Sequence, residues 1–287
     1  MKVLLHVNYY EGAGKLNEVF ALARKNGYDG IELRWKYRFD DMTQAEYQNR
    51  VAALKSEWPD GEIVFGGCVD FCRGKADETA TELAEYLEFL KWSARECGTK
   101  VMNFFTGGML APEAQHWQFD LNGSGCASEE EYQRAADGLR KVGDAAAKSN
   151  ILIALETHNQ YLHDLAKPCR KLMDMTKHDA VGINYDHGNI ILNKNGETIA
   201  DVFKTIGDKI YYAHLKNMFI VGGGADGSYL CTRLADGHIN TREVMAGLKK
   251  QLRSGMIALE YPNRGDGHYA AMKDIEYIKY LKKELAI

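Results

Sequence analysis

The sequence predicts a single α/β domain over residues 1–287, folded as a (β/α)8 TIM barrel. Short β-rich runs alternate with longer segments of helical periodicity along the whole chain, the pattern of a parallel sheet with crossover helices. Eight such repeats fit within 287 residues, which favours a closed barrel over an open sheet. No low-complexity linker or shift in composition divides the chain.

The opening MKVLLHVNYY holds an apolar run that His6 and Asn8 interrupt too soon for a secretory leader, so 3–9 reads as the first strand. Further strands are expected at 30–34 (GIELR), 63–69 (IVFGGCV), 101–106 (VMNFFT), 151–157 (ILIALET), 181–186 (VGINYD), 210–216 (IYYAHLK) and 256–261 (MIALEY). Helical spacing of apolar residues marks 15–26, 76–97 and 128–148, and the last helix is placed at 268–285. Ser128 followed by Glu131 is a capping box at a helix start, and the acidic run there suits a solvated first turn. Two long irregular connections, 107–127 and 217–240, each follow a strand, so both are expected on the carboxyl face as lids or substrate contacts. The glycine triplet 222–224 is a candidate hinge, but no Gly-Lys-Ser/Thr follows it to make a phosphate loop.

Apolar content of 45% and charged content of 26% belong to a globular chain. The net charge is −4 with no basic stripe, which argues against a nucleic-acid surface. No run approaches the length of a membrane span. Six scattered cysteines without a Cys-x-x-Cys pair read as reduced thiols of a cytoplasmic protein.

The tetrapeptide Ile-Ala-Leu-Glu occurs twice, ending at Glu156 and at Glu260. Each is a buried strand finished by a carboxylate, a costly residue to bury alone. The last four predicted strands end in Glu156 with His158, Asp186 with His187, His214 with Lys216, and Glu260. Alternation along a strand groups Ala154, Glu156 and His158, Asn184 with Asp186, Tyr212 with His214, and Ala258 with Glu260. If these faces point inward, two glutamates, an aspartate and a histidine converge at the end of the barrel where barrel enzymes place their chemistry. Three neighbouring carboxylates stay ionised only with a compensating cation. Three oxygens and an imidazole nitrogen suit one divalent ion, Mn²⁺, Mg²⁺, Co²⁺ or Zn²⁺.

These strand endings, in this order, resemble the xylose isomerase-like superfamily of sugar phosphate isomerases and epimerases. The resemblance covers almost the whole chain. It includes GYDGIELR at 27–34, the LETH and VGINYDHGNI stretches, YYAHLKN and IALEYP. It implies Glu156, Asp186, His214 and Glu260 as metal ligands. It also implies proton transfer through an enediolate, with Glu156 and Glu260 as the acid–base pair on opposite faces of one carbon. Oligomers built through carboxyl-face loops are common among such proteins, so a homo-oligomer is expected. The chain departs from the ketose 3-epimerases of that family. Asn189 stands where they carry a histidine three residues after the aspartate, and no arginine follows His214.

Further candidates for the site are read from position. His158 is a candidate base, substrate donor or supporting histidine. His187, Lys216, His238, Glu32 and Trp117 are candidate substrate contacts. The plain alternatives are hydrogen bonding behind the ligands for His187, a rim ion pair for Lys216, pairing with Arg34 for Glu32, and packing for Trp117. The leading expectation is a metal-dependent isomerase or epimerase of a small carbohydrate. The alternative is a lyase or dehydratase of a keto-sugar or keto-inositol, including a deglycosidase that cleaves a 3-keto C-glycoside with a small partner subunit. A DNA-repair endonuclease of the same superfamily is disfavoured, because Cys68, Asp70 and Asn103 stand where its additional ligands would fall. A binding subunit with an idle metal site is disfavoured by the complete ligand set.

Overall fold

The computed structural model describes residues 1–10, 15–36, 42–221, 228–260 and 266–287. Eight parallel strands close into a barrel: β1 (Lys2–His6), β2 (Gly30–Arg34), β3 (Glu62–Cys68), β4 (Val101–Phe105), β5 (Leu152–Glu156), β6 (Val181–Asp186), β7 (Ile210–Leu215) and β10 (Met256–Leu259). Around the barrel the order is β1-β10-β7-β6-β5-β4-β3-β2. The connecting helices are α1 (Leu16–Asn26), α2 (Gln44–Glu57), α3 (Ala76–Trp92), α4 (Glu129–Lys148), α5 (Ala166–Thr176), the short α6 (His187–Ile190), α7 (Ile199–Ile206), α8 (Thr241–Gln251) and α9 (Gly267–Leu285). No helix among the described residues is long and apolar enough to cross a membrane.

The period-two pattern of each stave sorts the barrel interior into layers. Leu4, Val64, Val101, Ala154, Tyr212, Met256 and Ala258 form a buried apolar floor. Two residues further along the staves the interior turns polar, with His6, Glu32, Asn103, Glu156, Asn184 and His214 all buried. The register brings these into one level, pairing His6 with Glu32, Glu156 with Asn184 and Asp186 with His214. Pairing of β6 with β7 slips between Ile183 and Asn184. There the Tyr211 ring covers Gly182, where a Cβ would stand 2.4 Å from the ring.

The capping box forms as the sequence predicts. Ser128 N–H donates to Glu131 (2.7 Å) and Glu131 N–H to Ser128 Oγ (3.2 Å). Glu131 is nevertheless buried, because its carboxylate also accepts from Arg73 Nε at 2.7 Å. The single helix expected over 76–97 is α3 followed by a π-helical turn, Ser93–Cys97, which ends at Gly98 with φ +63°. The 107–127 connection is tied together by buried Asn122, whose amide donates to Gln115 and Gln118 carbonyls and accepts from Ala111 N–H. The second long connection contains an antiparallel hairpin, β8 (Asn217–Ile220) with β9 (Tyr229–Thr232). The glycine triplet proposed as a hinge lies outside the described residues.

Candidate metal centre and active-site cavity

Glu156, Asp186, His214 and Glu260 each present one ligand atom, all within 4.8 Å of one another, and all four are buried. The sequence-derived convergence is therefore met. His214 Nδ1 lies 3.3 Å from Glu156 Oε2 and 3.6 Å from Glu260 Oε2. Its other nitrogen, Nε2, donates to Glu32 Oε2 at 2.7 Å, since a carboxylate only accepts. In the neutral ring that bond fixes the tautomer with the Nδ1 lone pair facing the carboxylates, the usual way a carboxylate orients a ligand histidine. Nδ1 is buried with no hydrogen-bond partner among the described residues. An orphaned imidazole nitrogen amid three carboxylate oxygens is the donor set of a divalent ion, so these residues fit one.

The surrounding groups hold the two glutamates differently. Glu156 accepts from Asn103 Nδ2 (2.8 Å) and Asn189 Nδ2 (3.0 Å). Asn189, the residue in place of the histidine of ketose 3-epimerases, is thus an amide clamp that also bonds the Thr157 carbonyl. Glu260 accepts from Asn8 Nδ2 at 2.5 Å and from Lys216 Nζ at 3.1 Å, and Lys216 also lies 2.9 Å from Asp186 Oδ2. Burial works to raise the Glu156 carboxyl, but a protonated His214, the form that Glu32 and Glu156 favour against the ring's own burial, outweighs it and holds it down at about 2. Burial drives the Asp186 carboxyl up to about 7, with Glu260 and Glu156 adding to the rise against the pull of Lys216. The cluster is crowded with negative charge.

A cavity of about 360 Å³ opens beside the cluster on the β1–β5 side. Glu156, Glu260 and Glu32 reach it from the cluster, and Asn8, Arg34, Asn103, Phe105, His158 and Tyr161 form much of the rest of its wall. His158 Nδ1 lies 2.9 Å from the Asn159 carbonyl, so Nδ1 carries the proton and Nε2 keeps its lone pair. The ring stands edge-on to Phe105 and Tyr161.

Of the other expected contacts Glu32 reaches the cavity wall, whereas Lys216, His187, His238 and Trp117 lie off it. Glu32 is fully buried below His214, bonded to that ring and to Tyr212 Oη (2.8 Å); Arg34 instead donates to Asn8 Oδ1 (2.6 Å). Lys216 is buried within the ligand cluster and off the cavity wall. His187 is buried at the start of α6, where desolvation lowers its ring to about 4, and it too is off the wall. His238 Nδ1 accepts from Ile220 N–H in the hairpin region (3.2 Å), and Trp117 is 47% exposed on its loop. Sequence reasoning missed Asn8, Phe105 and Tyr161 as cavity residues and Asn103 and Asn189 as clamps. The inward alternation of Val101 and Asn103 was the signal available for one of them.

The sequence profile of the xylose isomerase-like TIM barrel family matches residues 20–281. An inosose dehydratase of Clostridium perfringens is 27% identical over 196 residues, covering 67% of this chain and 60% of that protein. The chain thus aligns with only about three fifths of that relative's length. A xylose isomerase-like TIM barrel protein of Mycobacterium smegmatis, solved in complex with magnesium, superposes with a TM-score of 0.76 at 17% identity, covering 99% of this chain and 97% of that one. D-psicose 3-epimerase of Clostridium cellulolyticum H10, solved with D-tagatose, superposes with a TM-score of 0.75 at 13% identity, covering 98% and 99%.

Proposed function

This chain belongs to the xylose isomerase-like TIM barrel family, and on that premise we propose that it is a divalent-metal-dependent dehydratase of a keto-inositol or related keto-sugar. The reading sets the lyase ahead of the isomerase or epimerase that the strand endings suggest first. A dehydratase relative aligns in sequence over two thirds of the chain, whereas the epimerase likeness is one of fold at 13% identity.

The observation that carries it is His158. Among the described cavity residues, it is the base whose lone-pair nitrogen is committed to no other group. His6 Nδ1 accepts from Asn8 N–H, Glu32 holds His214, and Glu82 pairs with Lys36. Glu156 is clamped by two amides and Glu260 accepts from one, Asn8, so the pair is poorly matched for taking and returning a proton on opposite faces of one carbon. Glu156, Asp186, His214 and Glu260 would hold the ion. When bound, the ion supplies Lewis acidity at a substrate carbonyl oxygen and so acidifies the neighbouring C–H.

His158 Nε2 removes that proton. The C–H electron pair becomes the new C=C bond, the C–O bond on the next carbon breaks, and the imidazolium returns its proton to the departing hydroxyl as water. Phe105 and Tyr161 fix the ring's plane, and Asn8 and Arg34 offer donors to substrate hydroxyls.

The test is product analysis. Protein stripped of metal and reloaded with Mn²⁺ or Mg²⁺ is given a panel of keto-inositols and ketohexoses. The expected result is an unsaturated or rearranged dicarbonyl product with loss of water. Solvent deuterium incorporated into an epimerised product, with no water lost, would reverse the choice in favour of the epimerase.

A further inference from the structure

We propose that Lys216 is a built-in counter-ion that competes with the divalent ion for the cluster, so that the ion binds by displacing the ammonium from Asp186 and Glu260. The inference rests on reading the four residues as a metal centre. It adds that the affinity of this centre is set low by one of the chain's own side chains.

The geometry points to this. Lys216 Nζ lies 2.9 Å from Asp186 Oδ2 and 3.1 Å from Glu260 Oε2. Glu260 Oε2 is also the oxygen that faces His214 Nδ1 at 3.6 Å. The ammonium therefore sits against two of the carboxylates that a metal would use, and at Glu260 against the same oxygen that faces His214. Carboxylate–metal bonds run at roughly 2.0–2.2 Å for Mg²⁺ or Zn²⁺. Two cations drawing on the same two carboxylates would stand within a few ångströms of each other, in a buried site where their repulsion is weakly screened.

The position is built into the fold. Lys216 follows β7 directly, two residues beyond His214, so it emerges on the same side of the stave. Its aliphatic stem runs against Gly188 of α6, where an added Cβ would stand 2.5 Å from Lys216 Cγ and 2.9 Å from Cε. Any larger residue at 188 would close that lane. The side chain is 7% exposed, and no described group other than these two carboxylates holds its ammonium. The consequence is a cluster that keeps partial charge balance when no ion is bound, and an ion that exchanges readily.

Lys216→Met and Lys216→Gln test it in the full chain, with the metal alone as probe. After chelation, Mn²⁺ binding is measured by titration calorimetry at one fixed pH, and melting is followed with chelator and with excess Mn²⁺. The expected result is Mn²⁺ affinity at least about tenfold tighter in both variants than in the wild type. Melting should be lower than wild type in chelator and restored by Mn²⁺. A variant that unfolds in chelator and is recovered by Mn²⁺ supports the proposal equally. Unchanged or weaker affinity in folded variants would overturn it, since Lys216 would then be organising the ligands. So would unfolding of both variants that Mn²⁺ does not repair. Absence of Mn²⁺ binding in the wild type itself would remove the metal-centre reading and this one with it.

Discussion

The two halves of the barrel mouth are built from different chemistry. Staves β5, β6, β7 and β10 lead to Glu156, Asp186, His214, Lys216 and Glu260, and these face one another. Staves β1 to β4 end in a mixture of amide, aromatic, thiol and glycine positions around Asn8, Arg34, Gly66, Cys68, Asn103 and Phe105, and these face a cavity. A set of side chains able to hold a divalent ion can be drawn from only a few residue types, so its presence shows in their identities. A cavity is defined by what its walls leave out, and many residue types can leave the same space.

The comparison predicts separable losses. His158→Asn is expected to lower kcat by about 10²–10⁴-fold while Mn²⁺ affinity is unchanged, because the ring touches the cavity and not the ligand oxygens. Asp186→Asn is expected to lose both. Titration of Mn²⁺ alongside steady-state rates checks the pair; if His158→Asn also lost the metal, the division between the halves would fail. Glu32 is where the halves lock together, since it rises from β2 and holds His214 on β7. Glu32→Ala leaves His214 and Tyr212 without their shared acceptor. Breaking a buried pair of this kind costs about 3–5 kcal/mol, and loss of a residue orienting a metal ligand costs about 10–100-fold in affinity. Denaturant melts and Mn²⁺ titration read the two effects separately.

Glu32 also marks how far the sequence could be read. The bounds of β2 and β6 and the four converging side chains were legible, because period-two alternation and strand-end carboxylates are local signals. The partner of Glu32 was not. Tyr212 and His214 lie some 180 residues further along the chain, on a stave that does not adjoin β2, and meet it only across the closed barrel interior. The same holds for Asn8, which reaches Glu260 252 residues away. The β8–β9 hairpin was read as irregular because each of its strands has only four residues, too few for alternation to register. His238 and Trp117 were drawn toward the site by their presence on long carboxyl-face loops, but those loops turn them to the hairpin and to solvent.

The seam where β1 meets β10 offers a smaller effect, tied to pH. Asp274 on α9 accepts from Tyr9 Oη at 2.8 Å, just past β1, and from Leu234 N–H at 2.8 Å, just past the hairpin. Burial raises its carboxyl from 3.8 to about 6, against the lowering effect of these two bonds. A folded-state pKa above the unfolded one means the folded protein binds the extra proton. Stability from this group is therefore complete below about pH 3.8 and is lost as pH rises through about 6, a change of about 3 kcal/mol. Asp274→Asn removes the dependence. The wild type's advantage over the variant in thermal melts is expected to shrink from pH 4 to pH 7; a gap that stayed constant or widened would contradict it.

The smallest effect tests whether the cavity half does more than enclose space. Asn103 projects from β4, yet its amide donates to Glu156 Oε2, the same oxygen that faces His214 Nδ1. Its own Oδ1 has no partner among the described residues. Asn103→Ala leaves Glu156 with Asn189 as its amide partner and frees the carboxylate to turn. A hydrogen bond to a buried charge is worth about 1.5–3 kcal/mol, and a bound ion would restore part of that by gripping the same oxygen. The expected outcome is a Mn²⁺ affinity several-fold weaker and a kcat within about tenfold of wild type. Asn103→Asp sharpens the contrast, because it sets a fourth carboxylate against the cluster. That variant should melt well below wild type in chelator and recover more of the difference when Mn²⁺ is added. If Asn103→Ala leaves the ion's affinity untouched, the amides of β1 to β4 shape the cavity alone, and the ligand half is self-sufficient.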